Sequence, residues 1–172
     1  MRRSSIPWLS GSATSRSPHA SLGDRVSTVN AQIKISVPID KVWETIMDPT
    51  RLKDWVTIHK AVKNVSASPL SKGAMMDQSM VLRGVTFKVH WTLADVESPR
   101  RAEGKGAGPA HSRARISYVL EEQDGGTLFR YTNEFHPPGG RLGQVAGRVI
   151  VGGTSEREAK NSLSKLKALL ED

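Results

Sequence analysis

Alternation of apolar and polar residues is the feature of this sequence that most limits its fold. From Val85 to Leu93 every second residue is apolar, and polar residues stand between them. A period of two is typical of a half-buried strand, because successive side chains point to opposite faces of a sheet. Further strand-like runs occur at residues 29–37, 61–67, 76–83, 114–120 and 129–135. The chain is therefore expected to form a largely antiparallel sheet.

Glycines mark the turns between these strands. Gly84 separates two alternating runs, and Asp124-Gly125-Gly126 is typical of a tight hairpin. Residues 101–110 are rich in glycine and carry few apolar side chains, so we expect an irregular strand or a loop there.

Helical spacing is confined to two parts of the chain. Pro38 should end the first strand, and Asp40 is expected to cap a helix that is followed, after Asp48-Pro49, by a second short helix ending near Trp55. The last segment carries an apolar stripe, and Gly152-Gly153 should interrupt it before a fresh start at Thr154 or Ser155. The members of the stripe are Ala159, Leu163, Leu166 and Leu170. One antiparallel sheet with helices on one side is an α+β architecture.

Composition excludes several classes of protein. The 172 residues include no cysteine, so disulfides, a thiol nucleophile and cysteine-bound metals are impossible. No run approaches 18 apolar residues, and no metal-ligand spacing, phosphate-binding loop or G-x-S-x-G motif is present. We therefore expect no transmembrane segment, no metal and no cofactor. The net charge is +8, but acidic and basic residues are interleaved along the chain, so nucleic-acid binding is not expected.

Residues 1–25 differ from the rest of the chain. The first 23 contain seven serines, three arginines and no acid, and they lack a packing face. We interpret 1–25 as a disordered basic tail and 26–172 as one domain. Removal of the tail should leave stability and ligand affinity unchanged. A cytoplasmic location is expected, with an organellar one as the alternative if the tail is a transit peptide.

Two motifs near the start of the domain suggest a family. The order of elements, the segment Val37–Glu44, the segment Asp48–Leu52 and then Trp55 together resemble the polyketide cyclase/dehydrase and lipid-transport family of START-like (SRPBCC) proteins. The resemblance spans about residues 28–171. It implies a helix-grip fold, in which a curved antiparallel sheet wraps around a long C-terminal helix, with two short helices after the first strand. It also implies an apolar cavity between sheet and helix.

The concave face of this sheet and the end of the second short helix supply the candidate binding residues. The helix contributes Trp55, and the sheet contributes Met76, Gln78, Met80, Phe87, Trp91, Tyr118, Tyr131, Asn133 and Phe135. Gln78, Tyr118, Tyr131 and Asn133 are the polar members, and each has the ordinary alternative of satisfying a backbone group. Trp55 and His136 are expected at the mouth of the cavity.

Three functions remain open from the sequence. The first is binding of a small hydrophobic ligand such as a lipid, quinone or polyketide-like molecule. The second is a polyketide cyclase or aromatase, with Tyr131 or His136 moving a proton. The third is an interaction module at a membrane or protein surface, driven by the basic tail. We expect the first, because the inner face offers hydroxyls and amides but no acidic residue. The sequence leaves the oligomeric state open.

Overall fold

The computed structural model describes residues 26–138 and 154–172. Within these residues seven strands form one curved antiparallel sheet in the order β1-β7-β6-β5-β4-β3-β2. The strands are β1 (Ser27–Ile35), β2 (His59–Lys63), β3 (Met75–Leu82), β4 (Val85–Glu97), β5 (Arg101–Ala107), β6 (Arg113–Gln123) and β7 (Gly126–His136). The first strand pairs with the last, so β1 lies at one edge of the sheet, beside β7, and β2 lies at the other. The expected α+β helix-grip fold is confirmed.

Helices lie between β1 and β2 and at the C-terminus. They are α1 (Ile39–Ile46), a 3-10 turn (Pro49–Arg51), α2 (Leu52–Trp55) and α3 (Thr154–Glu171), with a further 3-10 turn (Pro109–His111) between β5 and β6. The two short helices after the first strand are confirmed.

The starts of these helices differ from the sequence expectation at one position. Pro38, not Asp40, occupies the N-cap of α1, and no side chain caps this helix. Asp40 lies in the first turn, where a carboxylate still interacts favourably with the helix dipole. The cap expected at Asp40 was therefore wrong. Asp48 does cap the following 3-10 turn, because its Oδ1 accepts a hydrogen bond from the Thr50 backbone N–H at 2.8 Å.

Two strands differ from their predicted extent. The glycine-rich segment is the regular strand β5, paired on both sides with β4 and β6, and not an irregular strand or loop. Gly104 and Gly106 both point to the buried face, where the ring of Trp91 lies close to them. The strand β2 ends at Lys63, before the left-handed residue Asn64, although the sequence predicted a strand to residue 67.

The last helix packs across the sheet and completes the core. α3 contacts β1 and α2, and its Leu163 and Leu166 are fully buried in the same core as Phe129. The predicted apolar stripe is therefore the face that meets the sheet.

Polar contacts fix α3 at its middle and at its C-terminal end. Midway along the helix, Ser162 Oγ accepts a hydrogen bond from the Thr57 backbone N–H at 3.0 Å. At the C-terminal end, Glu171 Oε1 accepts from the Ser36 N–H at 2.6 Å and from Lys167 Nζ at 2.7 Å. The bond from Lys167 and the bond from Ser36 lower the pKa of Glu171. The helix is thus held to residues that flank the two short helices.

Two sequence expectations fall outside the residues that the structure describes: the tail at 1–25 and the break at Gly152-Gly153. Within the described part of the chain, no helix has both the length and the apolar character needed to cross a membrane.

A candidate ligand-binding cavity

A cavity of about 170 Å³ lies between the sheet and the helices. All ten residues proposed from the sequence as candidate binding residues line it. An engineered cavity of about 150 Å³ in another protein binds benzene, so this space suits a molecule about the size of one aromatic ring. The concave face, with nine of these side chains, and α2, with Trp55, therefore bring the ten candidates together around one space.

Most of the cavity wall is apolar and adaptable. Met76 and Met80 face inward from β3, and Val89 and Trp91 do so from β4. Leu163 of α3 lines the same space from the helix side. Methionine side chains are flexible and fill irregular gaps, so this wall can adjust to the shape of a ligand.

Gln78 is bound on both ends of its amide. Its Oε1 accepts a hydrogen bond from Trp91 Nε1 at 3.0 Å, and its Nε2 lies 3.2 Å from His59 Nδ1. Burial lowers the pKa of His59, which favours the neutral ring that can accept from Gln78. The Gln78 amide therefore holds the Trp91 ring in place. Each end of the amide has a hydrogen-bond partner within the protein.

Tyr118 of β6 lies at the centre of a cluster of aromatic rings. The Tyr118 ring lies edge-on to Trp55 and to Phe129, with ring centroids 6.5 and 5.4 Å apart, and its centroid is 6.0 Å from that of Tyr131. Burial raises the pKa of both tyrosines, and the nearby Tyr131 raises that of Tyr118 further. Both phenols are therefore neutral at physiological pH.

Two buried polar atoms in or beside this aromatic cluster have no hydrogen-bond partner among the described residues. They are Trp55 Nε1, a donor, and Asn133 Oδ1, an acceptor. The other end of the Asn133 amide is used, because its Nδ2 donates to the Tyr131 hydroxyl at 3.1 Å. Buried polar groups in folded proteins are nearly always paired, so these two exceptions need an explanation.

The residues expected at the mouth are placed differently. Trp55 is only 2% exposed and lies in the core. His136 is exposed at the end of β7, opposite Arg113 on β6, and it is not among the cavity-lining residues. The burial of Trp55 is accompanied by its edge-on contact with Tyr118.

Sequence reasoning missed the polar contribution of α3. Glu158 and Ser162 both line the cavity, and Glu158 Oε2 accepts a hydrogen bond from Thr57 Oγ1 at 2.6 Å. Their positions next to the apolar residues Ala159 and Leu163 of the stripe are a signal that was available in the sequence. The cavity lining therefore includes two carboxylate residues, Glu158 of α3 and Glu103 of β5, although the sequence predicted no acidic residue on the inner face.

Residues 27–171 match the model of a family described as polyketide cyclase/dehydrase and lipid transport. The chain is 19% identical over 127 residues to the protein named Toxin Rv0910 of Mycobacterium tuberculosis, covering 73% of this chain and 88% of that protein.

Solved structures share the fold. The structure of TTHA0849 from Thermus thermophilus has a TM-score of 0.69 at 17% identity, covering 84% of this chain and 97% of that one. The structure of Ms6760 from Mycobacterium smegmatis has a TM-score of 0.62 at 18% identity, covering 83% of this chain and 90% of that one. Likeness at this level of identity shows the fold alone.

Proposed function

We propose that this chain, which belongs to the polyketide cyclase/dehydrase and lipid transport family, binds a small hydrophobic ligand in the cavity between its sheet and α3. The observation that carries the proposal is a largely apolar cavity inside a well-packed core. Protein interiors are close-packed, and a space of this size is kept at a cost in stability. A bound molecule restores the lost contacts.

The residues around the cavity favour binding over catalysis. Glu158 is engaged by Thr57, and the other carboxylate residue of the described lining, Glu103, pairs with Arg101. Burial raises the pKa of Tyr131, so its phenolate is a costly base. These features support a carrier or binding protein more than a cyclase.

Native mass spectrometry of the purified full chain tests this proposal. We expect a molecule of low mass to stay bound to the protein and to be released when the protein unfolds. Ala114→Leu should reduce its occupancy, because Ala114 lines the cavity and the larger side chain takes up ligand space. Ala107→Leu is the matched control, since Ala107 is exposed on the adjacent strand β5.

Equal occupancy in both variants would place the ligand elsewhere and contradict the proposal. Turnover of a polyketide-like substrate that is lost in Tyr131→Phe, while binding persists, would instead establish the cyclase function.

A further inference from the structure

Three side chains form a hydrogen-bonded network that runs from the edge of the sheet into the cavity wall. Trp91 Nε1 donates to Gln78 Oε1 at 3.0 Å, and Gln78 Nε2 lies 3.2 Å from His59 Nδ1. Gln78 and Trp91 are buried and line the cavity, whereas His59 is half-buried on the edge strand β2 and does not line it. The His59–Gln78–Trp91 network therefore joins a titratable ring outside the cavity to two residues of its wall.

The indole at the inner end of the network fixes the direction of each bond. An indole nitrogen can only donate, so the Gln78 oxygen must face Trp91. The amide nitrogen of Gln78 then faces His59, and His59 Nδ1 must accept from it. Only the neutral imidazole with its proton on Nε2 has an acceptor at Nδ1. Trp91 thus selects both the orientation of the Gln78 amide and the protonation state of His59.

A protonated His59 does not fit this network. Both ring nitrogens of the imidazolium are donors, so Nδ1 would place a hydrogen against the amide nitrogen of Gln78. If the amide turned over, its oxygen would accept from His59, but its nitrogen would then face the Trp91 N–H. If the His59 ring turned away instead, the buried amide nitrogen would lose its partner. Either response leaves a buried polar group unpaired, which destabilises this part of the cavity wall.

From this we infer that His59 is a positioning residue for the ligand cavity, that it acts through Gln78 on Trp91, and that its protonation weakens ligand binding. The inference rests on the proposed function and assigns a pH control to the same site. The Trp91 ring packs closely against β5, since a Cβ atom added at Gly106 would lie 2.9 Å from its Cζ3 atom. A displaced Trp91 ring changes the shape of the cavity, so a ligand responds to the network through packing.

Burial, and not a neighbouring charge, governs the titration of His59. It lowers the pKa of this ring. The charged side chains on β2 and on the neighbouring elements α2, β3 and α3 that bear on this region are Lys60, Lys63, Lys53, Asp54, Asp77 and Glu158. Each carboxylate of this set has another partner, which is Arg51 for Asp54, His90 for Asp77 and the hydroxyl of Thr57 for Glu158. The neutral ring that the network requires is therefore also the form that burial favours.

Two measurements on the full chain test the inference. Nitrogen–proton correlation NMR distinguishes a protonated ring nitrogen from a bare one, and at about pH 7.5 it should place the His59 proton on Nε2. Isothermal titration calorimetry then compares the affinity for toluene at about pH 7.5 and about pH 5. Toluene has one aromatic ring, as the cavity volume requires, and no titratable group.

We expect toluene to bind about three- to tenfold more weakly at the lower pH, the factor that one lost hydrogen bond supplies. Linkage is reciprocal, so saturating toluene should lower the pKa of His59 further, by the logarithm of the same factor. NMR titration of the His59 ring with and without toluene measures this change.

Three variants separate the network from other causes. His59→Gln offers an oxygen acceptor to Gln78 but cannot titrate, so toluene should bind equally at the two pH values. Gln78→Leu cuts the network while His59 still titrates, and the pH dependence should again be lost. His90→Gln is the matched control, because His90 is an exposed histidine beside Asp77, and the pH dependence should persist in it. Thermal melting at both pH values confirms that each variant is folded.

The outcomes separate the inference from the proposed function. Equal toluene affinity at the two pH values in the wild-type chain, or a His59 proton on Nδ1 at the higher pH, would overturn the inference and leave the proposed function standing. A pH dependence that survives in His59→Gln would belong to another group, and one that survives in Gln78→Leu would be a direct effect of the His59 charge; either would overturn the network's role. Failure of toluene to bind at both pH values would refute single-ring ligand binding itself, and the inference with it.

Discussion

Gly106 of β5 offers a direct test of how the cavity wall is built. A Cβ atom added at this position would lie 2.7 Å from Val89 Cγ1 and 2.9 Å from Trp91 Cζ3. Both neighbours are buried, and the indole of Trp91 is also held by its bond to Gln78. Neither side chain can move aside without disturbing the wall, so Gly106→Ala should destabilise the protein.

The magnitude follows from two opposing effects. Crowding of a well-packed core lowers the free energy of unfolding by about 1–3 kcal/mol. A Gly→Ala change also lowers the entropy of the unfolded chain, which raises the free energy of unfolding by about 0.4–1 kcal/mol. The expected net loss is about 1–2 kcal/mol, which for a chain of this size lowers the melting temperature by about 2–8 °C. Urea unfolding should show a lower midpoint with an unchanged slope.

Gly104→Ala is the matched control on the same strand and face. Its added Cβ would meet the Cγ2 methyl of Ile116 at 2.9 Å, while the nearest atom of Trp91 would be 3.6 Å away. Ile116 is half-buried, whereas Val89 and Trp91 are buried, so we expect less strain at this position than at Gly106. Because the unfolded-state effect is the same at both positions, the difference between the two variants isolates crowding against Trp91 and Val89. Equal stability of the two variants would refute this account of the wall.

Three further changes have expected outcomes. Because burial lowers the pKa of His59, the wild-type protein should lose stability as the pH falls below about 6.5, and His59→Gln should reduce this loss in urea titrations between about pH 7.5 and pH 5.5. Trp91→Ala should cost about 3–5 kcal/mol in unfolding free energy and weaken ligand binding, since it opens a void and frees the Gln78 oxygen. Truncation before Thr154 should abolish cooperative unfolding seen by calorimetry, because it removes Leu163 and Leu166 from the core; a single sharp transition would contradict this.

The strands that the sequence revealed are those with large apolar side chains on the inner face. β4 alternates cleanly, and the hairpin between β6 and β7 has Asp124 and Gly125 in the left-handed region, as the residue types predicted. The sequence did not predict β5 as a regular strand, because its inward residues are the small Ala102, Gly104 and Gly106. These small residues leave room for the Trp91 ring, so the signal for β5 lies in a neighbouring strand and not in its own pattern.

The polar members of the cavity wall show a different limit of sequence reasoning. Alternation placed Gln78 and Asn133 on the concave face together, and nothing in their identity distinguishes them. Their roles separate only through neighbours on adjacent strands or on the same strand: His59 of β2 and Trp91 of β4 occupy the two ends of the Gln78 amide, whereas Tyr131 of β7 occupies one end of the Asn133 amide. Residue type fixes how many hydrogen bonds a side chain can make, and the packing around it fixes how many are made. The concave face was therefore predictable from local pattern, but the pairing of its polar groups was not.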